Sequence, residues 1–191
     1  WTQEVAGAHA WADAANWDLR VPGTGGGDTD VATFPVAMNG QTVAYDTPGP
    51  RFRQILLQTT NGTLIIDAAL TNTVGLATSV DNADRNRNLA FGSQSRYVSS
   101  PAYDAGGNVT LSRTRMRVES GGYAHWLAAT YNQKVTLSYS SLTNRGTFVL
   151  GYGNYDWYRI NNSLTLASAQ AVATDGGLFD LACLELTGTG A

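Results

Sequence analysis

WADAANWDLRVPGTGGGDTDVATF, residues Trp11 to Phe34, sets two tryptophans six residues apart, a glycine-rich loop and a short strand one after another. Pro22 fixes its own φ, while Gly23, Gly25, Gly26 and Gly27 permit positive φ, so the middle of the stretch is a tight, irregular turn. Asp28-Thr-Asp30 leads out of that turn into the alternating strand Val31-Ala-Thr-Phe34. The flanking aromatics are placed to bury one face of it. The stretch reads as a cap or corner on a β structure.

Downstream, short apolar runs follow one another with turn residues between them. Thr42–Tyr45, Gln54–Gln58, Thr63–Asp67, Thr73–Ala77 and Asn88–Gly92 begin the series. Val109–Leu111, Met116–Val118, Val135–Tyr139, Thr147–Leu150, Ser163–Leu166, Ala171–Ala173 and Leu178–Leu181 continue it. The runs are too short for helices, and several alternate with period two. A phrase x-Val/Leu-Thr-Leu recurs at Asn108–Leu111, Lys134–Leu137 and Ser163–Leu166, with starts 26 and 29 residues apart. That spacing is the length of one solenoid coil. Asn61-Gly62 and the Gly-Gly pairs at 106–107, 121–122 and 176–177 lie where coil corners belong. The reading is an all-β, single-domain parallel β-helix of about six coils, each of roughly 22–29 residues. An antiparallel β-sandwich is the alternative. Residues 1–34 form an N-terminal arm and Trp-rich cap, and residues 35–191 the solenoid body.

Trp11, Asn16-Trp17, Pro22-Gly23, Asp30, Ala32 and Phe34 together resemble a W-x-NW-x-PG-x-D-x-A-x-F pattern. It is found near the start of secreted bacterial proteins with autotransporter-passenger-like repeats. The resemblance implies an extracellular, right-handed β-helix whose first turn is this segment. The chain departs from the pattern by an insertion at Gly26 to Asp28, and a C-terminal membrane barrel is not expected within residues 35–191. Because the chain begins at Trp1 rather than Met, removal of a leader and an extracellular or cell-surface location are expected.

Apolar residues make up 43% and charged residues only 14% of the 191. That is enough to build one core. A net charge of −3 gives no basic surface for nucleic acid, and no run of apolar residues is long enough to enter a membrane. Eleven of the twelve basic residues are arginine; Lys134 is the one lysine. Sheet edges therefore lack the ammonium groups that commonly keep them apart. Cys183 stands alone inside Leu181-Ala-Cys-Leu184 and reads as a buried apolar thiol.

Little in the sequence points to catalysis, and no cofactor is expected. His9 and His125 lack a neighbouring Cys or carboxylate at metal-ligand spacing, and no G-x-S-x-G elbow accompanies them. Asp28 and Asp30 have the oxygens for Ca²⁺, but fixing the turn through backbone N–H groups is the simpler role. Asp81 and Asp84 adjoin Arg85 and Arg87 and are expected to pair with them. Glycoside hydrolysis needs two opposed carboxylates, and nothing selects a pair among Asp104, Glu119, Asp156 and Asp175. Arg113, Arg115 and Arg117 alternate and are expected to share one strand face. Tyr152, Tyr155, Trp157 and Tyr158 form an aromatic cluster suited to a core, an interface or a sugar ring.

The functional expectation is a non-enzymatic structural or adhesive protein that assembles with itself, head to tail, into a filament or layer. A carbohydrate-binding or polysaccharide-cleaving module, with extracellular polysaccharide as partner, is the alternative. A solenoid leaves unpaired N–H and C=O groups at both ends of its stack, so each end must be capped or paired. Trp11, Asn16, Trp17, Pro22, Asp30 and Phe34 supply the cap. The segment with Leu178, Leu181, Leu184 and Leu186 has no Lys, Arg or Pro and is the expected assembly edge.

Overall fold

The structure is a computed structural model that describes residues 2, 7–24, 29–35, 40–45, 51–59, 61–78, 87–99, 109–126, 134–150, 163–167, 170–181 and 185–188. Eighteen strands wind through it in seven coils. The first coil holds β1 (Gly7–Ala10) and β2 (Val31–Phe34), joined through a 3₁₀ turn at Ala14–Asn16. The second holds β3 (Gln41–Tyr45) and β4 (Arg51–Leu57), and the third β5 (Thr63–Ile66) and β6 (Ala69–Thr78). From the fourth coil each turn has three strands: β7 (Arg87–Phe91), β8 (Arg96–Ser99) and β9 (Val109–Ser112). The fifth has β10 (Thr114–Val118), β11 (Tyr123–Trp126) and β12 (Lys134–Ser138). The sixth has β13 (Ser141–Asn144), β14 (Thr147–Leu150) and β15 (Ser163–Ala167). The seventh has β16 (Gln170–Ala173), β17 (Leu178–Leu181) and β18 (Glu185–Gly188).

Every pairing among these strands is parallel and joins equivalent strands of adjacent coils. The first sheet runs β1-β3-β5-β7-β10-β13-β16, the second β2-β4-β6-β8-β11-β14-β17, and the third β9-β12-β15-β18. This is a parallel β-helix, and the antiparallel sandwich is ruled out. The described strands make seven coils where about six are expected, and the Trp-rich segment lies in the first of them. At about 4.8 Å per coil the stack is roughly 30 Å long.

Side chains that point inward stack in columns. Val43, Leu64, Leu89, Met116, Leu142 and Ala171 stand opposite one another, so these coils are 21, 25, 27, 26 and 29 residues long. The recurring Val/Leu-Thr-Leu phrase is the third sheet: Val109, Val135 and Leu164 align, as do Leu111, Leu137 and Leu166. Like residues at one position, as Leu64 and Leu89 or Leu111 and Leu137 are, keep the core filled, and burial of each adds about 25 cal/mol per Å² of apolar surface. The core is built of Phe34, Tyr45, Ile55, Leu57, Leu64, Ile66, Leu89, Phe91, Tyr97, Val118 and Phe148, all fully buried.

The corners between the first and second sheets need glycine. A Cβ on Gly146 would come within 2.4 Å of the Gly122 carbonyl oxygen, and one on Gly177 within 2.1 Å of that of Asn144. The Gly-Gly pairs at 121–122 and 176–177 are therefore corners, as read from sequence; the pair at 106–107 lies outside the described residues. The opposite corner, leading into the first sheet, is polar inside. Arg87, Thr114 and Ser140 are buried there. Arg87 donates from Nη1 to the Leu57 carbonyl at 2.9 Å. Ser140 Oγ accepts from the Thr114 N–H and donates to the Leu111 carbonyl, each at 3.0 Å.

Candidate functional site: the two ends of the stack

The N-terminal end is closed by aromatic rings. Trp11 stacks edge-on with Trp17 (4.8 Å between centroids) and with Tyr45 (5.0 Å), and both tryptophans lie 5.8 Å from Phe34. All four rings are buried. Sequence reading placed Trp11, Trp17 and Phe34 in one cluster; it missed Tyr45, which arrives from the next coil as the last residue of β3.

Polar residues hold the cap in shape. Asp13 Oδ1 accepts from the Ala15 N–H at 3.0 Å and starts the 3₁₀ turn. Buried Asn16 donates from Nδ2 to the Ala10 carbonyl at 2.8 Å, satisfying an acceptor on the outermost strand of the first sheet. Trp17 Nε1 donates to the Trp11 carbonyl. Pro22 is buried. Asp30 accepts from Arg20 Nη2 at 2.6 Å and from the Gly23 N–H at 2.9 Å, where Gly23 has φ +90°. The Arg20 guanidinium, and then the Gly23 N–H, hold the Asp30 carboxyl below the usual carboxylate range. Asp30 thus fixes the turn; Asp28 lies outside the described residues. Arg20 is the partner that sequence reading did not name.

A hollow of about 410 Å³ beside the outer edge of β2 is lined by Trp17, Leu19, Arg20, Pro22, Asp30 and Val31, among others. Leu19 is 91% exposed and Val31 40%. These are the only large apolar side chains of the first coil so open among the described residues.

The C-terminal end has a different character. Among the described strands, β16, β17 and β18 each have a neighbour on one side only. The inward columns shrink there: Ala171 follows Leu142, and Ala173 follows Asn144. Asn144 is itself buried in a column otherwise made of Tyr45, Ile66, Phe91 and Val118. Its Nδ2 donates to the Leu178 carbonyl at 2.8 Å and its Oδ1 accepts from the Gly146 N–H at 3.1 Å, tying the seventh coil to the sixth. Leu178 is 55% exposed and Val172 48%. Leu181 pairs with Leu150, and Leu186 with Leu164. Leu184, Cys183 and the aromatic cluster Tyr152, Tyr155, Trp157 and Tyr158 lie outside the described residues, as do Asp81, Asp84 and Arg85.

The arginine row is corrected. Arg115 and Arg117 share the exposed face of β10, but Arg113 stands before the strand at φ +49°. Its guanidinium lies 4.9 Å from the centre of the Tyr139 ring, and Tyr139 also has positive φ. A left-handed residue interrupts the two-residue alternation, so Arg113 cannot share the face. Arg87, expected to pair with Asp81 or Asp84, is instead a fully buried residue of β7 that donates to the Leu57 carbonyl. Glu119 and Asp175 are brought together through Arg145, at 3.9 and 3.2 Å, on an exposed corner. His125 Nδ1 is 3.1 Å from the Tyr123 hydroxyl, and His9 is on another sheet, in β1. Among the described residues no three His, Cys, Asp or Glu side chains group to hold a metal ion, and no helix is long and apolar enough to cross a membrane.

No family model, no curated protein and no solved structure matches the chain.

Proposed function

We propose that this protein is an extracellular structural element that assembles end to end, the last coil of one copy against the first coil of the next. One observation carries the reading. Of the five large apolar side chains exposed among the described residues, Leu19 and Val31 are in the first coil and Val172 and Leu178 in the seventh. The fifth, Tyr139, carries the Arg113 guanidinium on its ring. Apolar surface gathered where strand edges also lack neighbours favours recruitment of another chain. The two ends differ in structure, so the contact joins unlike surfaces and propagates as an open filament. The extracellular setting rests on the resemblance of Trp11–Phe34 alone.

The test is negative-stain electron microscopy with light scattering over a range of concentrations. Wild-type protein should give filaments or layers, and Val172→Lys/Leu178→Lys should give monomers that circular dichroism shows to be folded. A wild-type chain that stays monomeric at high concentration would falsify the proposal.

A carbohydrate-binding module is the second reading. It draws on the corner hollow of about 420 Å³ lined by Arg96, Tyr123, Arg145, Thr147 and Asp175, where guanidinium, aromatic and hydroxyl groups meet. Binding to acidic glycans by a monomeric protein would favour it.

A further inference from the structure

Coil six turns the corner between the first and second sheets in fewer residues than the coils on either side. The register fixes the comparison. Arg145 N–H donates to the Val118 carbonyl and Thr174 N–H to that of Asn144, so Glu119, Arg145 and Thr174 mark the same point in three successive coils. Tyr123, Thr147 and Leu178 then open the second sheet side by side. Between those two points coil five has Ser120-Gly121-Gly122 and coil seven has Asp175-Gly176-Gly177, whereas coil six has Gly146 alone.

The extra residues project as tight turns. Gly122 N–H donates back to the Glu119 carbonyl at 2.8 Å, with Gly121 at φ +81°. Gly177 N–H donates back to the Thr174 carbonyl at 2.9 Å. Asp175 and Gly176 between them take φ of +53° and +81°, the two positive angles that a type I′ turn requires. The projecting turns are two coil spacings apart, roughly 10 Å, with the short corner recessed between them. This is the origin of the hollow of about 420 Å³, a notch one coil wide. Its floor stays bare, because a Cβ on Gly146 would meet the Gly122 carbonyl oxygen at 2.4 Å.

Charges around the notch are balanced. Arg145 reaches Asp175 at 3.2 Å and Glu119 at 3.9 Å. Arg96 comes over from coil four, its Nη1 donating to the Ser95 and Gly121 carbonyls at 2.6 and 3.0 Å. Tyr123 and Thr147 line the side that belongs to the second sheet. Two guanidiniums thus accompany two carboxylates, and the Asp175 side chain, 71% exposed, rides on a projecting turn. An anionic ligand would meet that carboxylate, and like charges in contact are disfavoured. A hydroxyl, by contrast, can accept from a guanidinium and donate to a carboxylate at once.

We infer that the notch binds one neutral hexose unit of a polysaccharide, with neighbouring hydroxyls bridging Arg145 and Asp175 and the ring beside Tyr123. This rests on the carbohydrate-binding reading and makes it specific in site and sugar class. Because the turns of coils five and seven wall the notch on both sides, the glycan crosses the stack instead of running along it.

Titration calorimetry on the wild-type chain tests this with neutral hexaoses of glucan, mannan and galactan type and with oligogalacturonate. At least one neutral hexaose should bind, and oligogalacturonate about tenfold more weakly or less. Asp175→Asn removes the charge and keeps a residue that tolerates positive φ, while Thr147→Tyr fills the notch with a residue suited to a strand. Each should weaken neutral binding by about tenfold. Arg115→Ala, on the exposed face of β10, should leave it unchanged. Circular dichroism shows which variants are folded, and either notch variant suffices. Oligogalacturonate bound as tightly as the neutral sugars, or neutral binding that a folded notch variant leaves unaltered, would overturn the inference and leave carbohydrate binding standing. Failure of all four ligands to bind would remove both.

Discussion

The indole N–H of Trp17 donates to the main-chain carbonyl of Trp11 across 2.8 Å, inside the aromatic cluster that both residues help to form. One side chain thereby contributes apolar burial and satisfies a carbonyl that the rings have cut off from water. The cap is a polar contact enclosed by an apolar one. Trp17→Ala should cost about 3–5 kcal/mol, the usual loss for a large buried aromatic. Trp17→Phe keeps the ring and loses the donor, and should cost about 1–3 kcal/mol. Urea denaturation of the two variants checks both, and a negligible loss in Trp17→Phe would show that the hydrogen bond contributes nothing.

Asp30 gives the cap a pH dependence of defined sign. Its carboxyl is held below the usual range by Arg20 and the Gly23 N–H, so folding favours the ionised form. The contribution is fully present above the unfolded value of about 3.9 and is lost as pH falls through the lower folded value. Asp30→Asn should flatten the melting curve's dependence on pH below about 4, with no change in slope between pH 6 and 8. An unaltered acid limb would show that the ion pair does not stabilise the fold.

Asn144 is the clearest polar substitution in the core. Its amide bridges the Leu178 carbonyl and the Gly146 N–H, so Asn144→Ala should destabilise by about 1–3 kcal/mol through the groups left without partners. The effect should be local. Amide exchange should accelerate in β16 and β17 while β3 and β5 keep their protection, and uniform acceleration would contradict this assignment.

Gly146→Ala tests the corner packing. The added methyl meets two carbonyl oxygens, of Gly122 at 2.4 Å and Glu119 at 2.5 Å, and neither belongs to a side chain that can turn aside. Destabilisation by about 1–3 kcal/mol is expected from overpacking. Gly176 shows nothing within 4 Å of an added Cβ, and its φ of +81° is one that asparagine tolerates. Gly176→Asn should therefore leave the melting temperature within a few degrees of wild type.

The parts of this fold that were legible in sequence are those where one residue type repeats at one height in every coil. Val109, Val135 and Leu164 announce the third sheet because strands paired in register repeat like residues at one height. Strands β8, Arg-Tyr-Val-Ser, and β11, Tyr-Ala-His-Trp, are hard to see in sequence because each has one buried residue, Tyr97 or Ala124, between polar or aromatic neighbours, and neither is flanked by a clear apolar run. The polar neighbours of Arg87 suggest a carboxylate partner, but burial follows the column and not the neighbours. At the cap, Trp11, Trp17 and Phe34 were legible from their size and Asp30 from its place after the glycines. Tyr45 and Arg20 were not, since each contact depends on how one coil settles on the next.

Among the described residues the substantial strand contacts run between adjacent coils and no further. A chain of that kind loses structure from its ends, one rung at a time, at a cost set by the last rung alone. At one end the last rung carries three rings interlocked with Tyr45 of the next; at the other it carries two alanines on β16 and is held through Leu178 by Asn144 of the coil before. Unzipping is therefore directional. Pulled or heated, the seven described coils should come apart from the seventh backwards, with the ring cluster of the first as the anchor.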